Sequence, residues 1–298
     1  MKLLPVFATF ALSAGCASGG AQVIQFDGER ALGYVRTQME FGPRVPNTDG
    51  HRRTGDWILE QLRQKVDTVE VQAFTHVTLD DDTLQLRNFI GRIMPEMSER
   101  VLLLAHWDTR PVSDKATNMA QRRLPVPGAN DGASGVAVLL GIADELRVHP
   151  PIVGVDLLFV DGEDYGDFSA EHDVLLGSKH FAANLPEGYQ PLFGVLLDMV
   201  GDANLSLPKE WNSNNRAPEV VDRVWRKANE LGFGRVFRNE VGGAVTDDHI
   251  PLLDAGIRTI DIIQLPLPPY HHTPEDTIDK LSARSLAIVG SVAVALVR

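Results

Sequence analysis

From Val101 onward, short continuous apolar runs alternate with segments whose apolar residues recur at helical spacing. The runs lie at 101–105 ("VLLLA"), 155–160, 193–199 and 258–263; helical spacing covers 132–146, 176–183, 218–231 and 280–297. Strands apolar on both sides are strands covered on both sides, and helices between them are the usual connection of parallel neighbours. Upstream the pattern changes. Residues 28–65 read as two helices around the loop "FGPRVPNTDGH", the second carrying Trp57, Ile58 and Leu62 on one side, and β-rich stretches follow at 69–77 and 84–93. No repeat or linker divides the body. The pattern predicts one α/β domain over 28–298, with a central, mostly parallel mixed β-sheet and helices on both faces.

The opening segment, "MKLLPVFATFALSAGCASGG", breaks this pattern. One lysine, an apolar run too short to span a bilayer and a tail of small residues make the layout of an export signal in residues 1–20. Its end, Leu12 to Cys16, resembles a bacterial lipoprotein signal, which predicts an exported protein lipidated at Cys16 and facing the periplasm or cell surface. Without lipidation the expectation is a periplasmic or secreted protein.

Composition narrows the chemistry. The 298 residues are 44% hydrophobic, enough for a sizeable core, and carry a formal net charge of −12. That balance argues against nucleic acid as a partner and against a basic membrane-binding face, leaving a lipid on Cys16 as the expected link to a membrane. Cys16 is the only cysteine, so a disulfide within the chain is excluded and any metal site must be built from histidine and carboxylate.

In open α/β sheets ligands bind beyond the carboxyl ends of the strands. The groups that follow the strands here are His106-Trp107-Asp108, then Asp161-Gly162-Glu163-Asp164, then Asp198, then His271-His272 after a Pro-rich loop, with Asn130-Asp131 preceding the helix at 132. Singly, each reads as a turn or cap residue; Asp131 suits a helix cap, and His249 in "TDDHIP" reads as structural. Together they put acids at one sheet edge, where they repel one another unless a cation neutralises them. The His-x-Asp spacing at 106–108 suits a histidine oriented by its neighbour.

The stretches "AHWDTRP", "PGANDGASGVAVLL", "LLFVDGEDYGDF", "LLGSKHFA", "GVLLDMVGD", "TDDHIPLLDAGI" and "PYHHTPEDT" together resemble the zinc aminopeptidase superfamily, and within it the bacterial glutaminyl-peptide cyclotransferases. The resemblance runs in register over 28–298. It implies a zinc-exopeptidase-like α/β/α sandwich, one Zn2+ held by Asp131, Asp164 and His272, Glu163 as the proton carrier, and Asp247 supporting Glu163 by hydrogen bonding. His106 and Asp198 match positions that hold a second zinc in two-metal aminopeptidase relatives or stand behind the first in cyclases. Trp107, Tyr165 and His271 are expected around the substrate pocket, the last two where bacterial cyclases often carry tryptophan. The implied substrates are peptide or protein N-termini. Two activities stay open: cyclisation of N-terminal glutamine to pyroglutamate, or hydrolysis of N-terminal residues with two zincs. An imidazole with the ordinary pKa near 6.5 at position 271 further predicts weaker activity below about pH 6.5.

Overall fold

The structure, a computed structural model, describes residues 26–298; the export signal expected in 1–20 and Cys16 lie outside the described residues. In chain order the sheet is formed by β1 (Thr68–Val77), β2 (Thr83–Ile93), β3 (Arg100–His106), β4 (Gly154–Val160), β5 (Phe193–Asp198) and, after a separate small pair β6 (Leu207–Lys209) and β7 (Phe237–Val241), β8 (Thr259–Ile263). The spatial order is β1-β2-β4-β3-β5-β8. β1 and β2 form an antiparallel hairpin and β2 runs antiparallel to β4, whereas β4, β3, β5 and β8 are mutually parallel. The sheet is therefore mixed, with its parallel part where the apolar runs are continuous.

The alternation of side chains along β3 explains those runs. Val101, Leu103 and Ala105 enter a large core shared with α1 (Gly28–Glu40), α2 (Asp49–Lys65), α3 (Ala133–Val148), α6 (Pro218–Glu230) and α8 (Ala283–Val297). Leu102 and Leu104 enter a smaller one on the opposite face, with Phe181 of α4 (Leu176–Ala183) and Leu252 of α7 (His249–Asp254). Each fully buried leucine of this kind contributes about 1.5–3 kcal/mol relative to an exposed one. α3 packs so tightly on β5 that a Cβ at Gly135 would stand 2.1 Å from the Leu197 carbonyl oxygen.

Local chemistry sets the helix ends. Thr48 caps α2 by accepting from the His51 N–H, and Pro218 opens α6 in the first turn, where its missing N–H costs nothing. The last helix begins at Ala283, later than its pattern predicts, because Ile278–Lys280 is a 3-10 turn and Ser282 supplies the cap. The periodicity does not reveal β6, β7, α5 (Trp211–Arg216) or α7, which are only three to six residues long. No helix among the described residues is long and apolar enough to cross a membrane.

Candidate metal centre and active site

Because β4, β3, β5 and β8 are parallel, their carboxyl ends open on one edge. There a cavity of about 470 Å³ is lined by Asp131, Glu163, Asp164, Asp198, Asp247 and His272, among others. His272 Nε2 stands 3.3 Å from Asp164 Oδ1 and 3.6 Å from Asp131 Oδ2. His272 thus faces both acids expected to share zinc with it, while the set containing His272 whose ligand atoms all lie within 4.8 Å of one another is Asp131, His271 and His272. Asp131, Asp164 and His272 are all buried. Asp164 Oδ2 and His272 Nδ1 have no hydrogen-bond partner among the described residues, a costly state for buried polar atoms unless something else satisfies them. Two carboxylates and one imidazole, without thiolate, are a donor set that suits catalytic zinc with an open position, so the residues fit the group.

An outer layer fixes these side chains. Asp108 accepts the backbone N–H of Glu163 at 3.0 Å and of Asp164 at 3.1 Å, so its main work is to hold the acidic loop, with the His106 ring at 3.5 Å. Asp276 does the same for the other loop, accepting from Asn130 N and Asp131 N. Arg110 donates to Asp164 Oδ1 at 2.9 Å and to Asp114 at 2.9 Å, and Asp114 lies 3.5 Å from His272 Nδ1. Arg110 and His272 hold the Asp114 carboxyl well below its usual range against the effect of its partial burial. Arg44, from "FGPRVPNTDGH", is wholly buried and donates to the carbonyls of Trp107, Pro127 and Gly128, which ties the loop before α3 to the end of β3. Burial lowers its pKa to about 10. None of Arg44, Arg110, Asp114 and Asp276 was singled out in the sequence. Each reaches a partner far away in sequence, Arg44 and Asp276 through backbone atoms and Arg110 and Asp114 through side chains, so no local spacing marks them.

His106 Nε2 faces two acids at once, Asp131 Oδ1 at 3.1 Å and Asp198 Oδ1 at 3.2 Å. Gly132 lets it in: a Cβ there would stand 2.4 Å from that nitrogen. Burial disfavours an imidazolium, but Glu163, Asp108, Asp131 and Asp198 together raise the His106 pKa well above 6.5. The ring can therefore serve as the local cation between the two carboxylates. The same three residues can also bring ligand atoms within 4.8 Å of one another, as a second metal would require.

Glu163 is buried beside this group. Desolvation above all, then Asp247, Asp164 and Asp248, raise its pKa well above 4.5, with His106 opposing. Asp247 is raised to about 7, by burial and then by Asp198. No hydrogen bond joins Glu163 directly to Asp247 among the described residues; their coupling is electrostatic. Behind them Asp247, Asp261 and His249 form a buried cluster, and His249 Nε2 lies 3.4 Å from Glu210 Oε2.

A model of peptidase family M28 matches residues 88–297. The chain belongs to peptidase family M28. Its fold superimposes on the crystal structure of a Bacteroides thetaiotaomicron glutaminyl cyclase with a TM-score of 0.89 and 38% identity, covering 93% of this chain and 99% of that one. A leucine aminopeptidase precursor from the same organism gives a TM-score of 0.90 and 39% identity, covering 93% and 98%. By sequence, the chain is 26% identical to the glutaminyl-peptide cyclotransferase of Bos taurus, over 82% of this chain and 74% of that one. It is 27% identical to Aminopeptidase YwaD of Bacillus subtilis, over 91% of this chain and only 57% of the length of YwaD.

The three residues expected around the substrate pocket of this M28 chain also differ from expectation. Trp107 does not line the cavity. Continuing the alternation of Leu103 and Ala105, it enters the large core fully buried, stacks on His51 at 4.3 Å and donates its indole N–H to the Arg87 carbonyl. Tyr165 also turns away, packing with Phe74, Leu84, Leu86 and Leu176; the aromatic ring at the cavity wall is Phe168, below the Arg110 guanidinium. His271 does line the cavity, yet it does not titrate as expected: burial, then the charges of His272, Lys115 and Arg110, lower its pKa to about 3 against the pull of Asp131.

Proposed function

We propose that this chain is a zinc-dependent glutaminyl-peptide cyclotransferase, an acyltransferase that converts the N-terminal glutamine of peptides or proteins to pyroglutamate and releases ammonia. The observation that carries the reading is the buried Glu163 carboxyl, held beside the convergent Asp131, Asp164 and His272 at a confined cavity. The likeness of nearly the whole chain to a bacterial glutaminyl cyclase supports it.

An N-terminal glutamine brings its own nucleophile. Its α-amine attacks the side-chain γ-carbonyl carbon; the new C–N bond closes a five-membered lactam, the old C–NH2 bond breaks, and ammonia leaves. Asp131, Asp164 and His272 would hold the zinc, which would supply Lewis-acid polarisation of that carbonyl. Glu163 takes a proton from the attacking amine and delivers one to the departing nitrogen, a double duty that suits a carboxyl whose pKa lies well above its ordinary value. Asp247 and Asp164 favour the protonated form of Glu163 by like-charge repulsion, and Asp108 fixes the backbone from which it projects. Because ring closure is intramolecular, holding the residue folded in the cavity supplies much of the rate. The anionic walls favour entry of a cationic N-terminus over other chain segments.

The alternative is a two-zinc aminopeptidase, favoured by one observation: His106, Asp131 and Asp198 can also gather around a second metal. Zinc content and product separate the two readings. One zinc per chain with pyroglutamate formation, lost on chelation and restored by zinc, supports the cyclase; two metals with free amino acid released supports the peptidase. Export with a lipid at Cys16 belongs to the same proposal, and intact-mass analysis of the mature N-terminus tests it.

A further inference from the structure

His271 stands within reach of a metal held at Asp131 and His272. Its Nε2 lies 3.7 Å from Asp131 Oδ2, its ring centre is 3.7 Å from that of His272, and Asp131, His271 and His272 can bring ligand atoms within 4.8 Å of one another. An imidazole so placed either ligates the metal, closing the position a substrate carbonyl needs, or points a hydrogen-bond donor at the site and leaves that position open. The other ring nitrogen decides. Lys115 Nζ lies 2.7 Å from His271 Nδ1. An ammonium has three donors and no acceptor, so Nδ1 must accept; in the neutral ring the proton then sits on Nε2, which has no lone pair to give a metal.

We propose that Lys115 is a positioning residue that locks His271 in the Nε2–H tautomer, holds it off the metal, and makes it a hydrogen-bond donor facing Asp131 and the cavity. The inference rests on the reading of Asp131, Asp164 and His272 as the zinc ligands. Placement of the lysine is not left to its flexible side chain alone. Its backbone N–H donates to the His272 carbonyl at 3.3 Å, and Arg110 and Asp114 of the same loop hold Asp164 and face His272. Among the described residues Lys115 forms no ion pair that would draw it elsewhere. One loop after β3 thus braces both ligands and restrains the neighbour that competes with them.

Zinc-loaded protein labelled with nitrogen-15 histidine tests this. Long-range proton–nitrogen spectra identify each ring's tautomer, and the signal missing in His271→Ala belongs to His271. The wild type is expected to show Nε2–H at His271. Lys115→Met is expected to lose that pattern and, in the cobalt-substituted protein, to shift the visible absorption as a nitrogen ligand is added. The double variant Lys115→Met/His271→Ala should restore the wild-type absorption, and Lys115→Arg, which keeps a cationic donor, should leave both signatures unchanged. An Nδ1–H pattern in the wild type overturns the proposal. So does a wild-type cobalt spectrum that His271→Ala alone alters, or one that Lys115→Met leaves untouched. If His272→Ala and Asp164→Ala retain full zinc, the ligand reading fails separately, and the nitrogen pattern of the wild type still decides the tautomer.

Discussion

Asp276 Oδ2 accepts the backbone N–H of Asp131 at 3.1 Å, and Oδ1 accepts that of Asn130 at 2.9 Å. Asp276 lies on the same loop as His272, so the segment that delivers one of the proposed zinc ligands also sets the backbone that delivers another. Burial, and then the charge of Asp131, raise its pKa to about 7. Asp276→Ala is expected to weaken zinc binding by about 10–100-fold, the usual effect of removing an outer-shell partner, while circular dichroism stays native. Asp276→Asn keeps one acceptor oxygen and should lose less. Competition against a zinc chelator measures both, and wild-type affinity in Asp276→Ala would contradict this role.

Glu163 and Asp164 are adjacent in sequence, and the proposed function gives them separate tasks. Glu163→Gln should retain zinc and stability while activity falls by roughly 100-fold or more, the scale expected for loss of a general acid/base. Asp164→Ala should lose most of the zinc together with activity. Metal analysis of the two purified variants decides; zinc loss in Glu163→Gln would mean that the two neighbours have exchanged roles.

Asp261 tests the electrostatic cost of the site. It is fully buried, and neither carboxylate oxygen has a hydrogen-bond partner among the described residues. Desolvation, then Asp247, Asp198 and Glu210, raise its pKa well above the ordinary 3.8. A carboxyl with a raised folded-state pKa contributes stability that is fully present below its unfolded value and is lost as pH rises through the folded value. Asn does not titrate, so the stability of Asp261→Asn relative to wild type should increase steadily as pH rises above 3.8. Thermal melting across that range measures it, and a difference independent of pH would show that Asp261 is not held protonated.

The parallel strands and the residues at their carboxyl ends were legible in the sequence because a doubly covered strand must be continuously apolar and its end is marked where charge begins. Asp131, Glu163, Asp164 and His272 followed from that rule together with the family resemblance, and all meet at the cavity. Trp107 leaves the pocket because the alternation of β3 runs one residue past the strand, sending the indole into the core and His106 to the site. Arg44, Arg110, Asp114 and Asp276 were silent for a different reason: their contacts join loops far apart in sequence, and only the assembled fold brings the partners together. His271 was seen, but its pKa was not, since desolvation is a property of packing.

The most direct measurement offers the zinc-loaded protein two peptides in one reaction, one beginning with glutamine and one with leucine, and follows both by mass spectrometry. The cyclase account predicts that the glutamine peptide loses one ammonia with every peptide bond intact, that the leucine peptide is unchanged, and that Glu163→Gln abolishes the conversion. Release of free leucine, with the glutamine peptide either shortened by a residue or unaltered in mass, would contradict it.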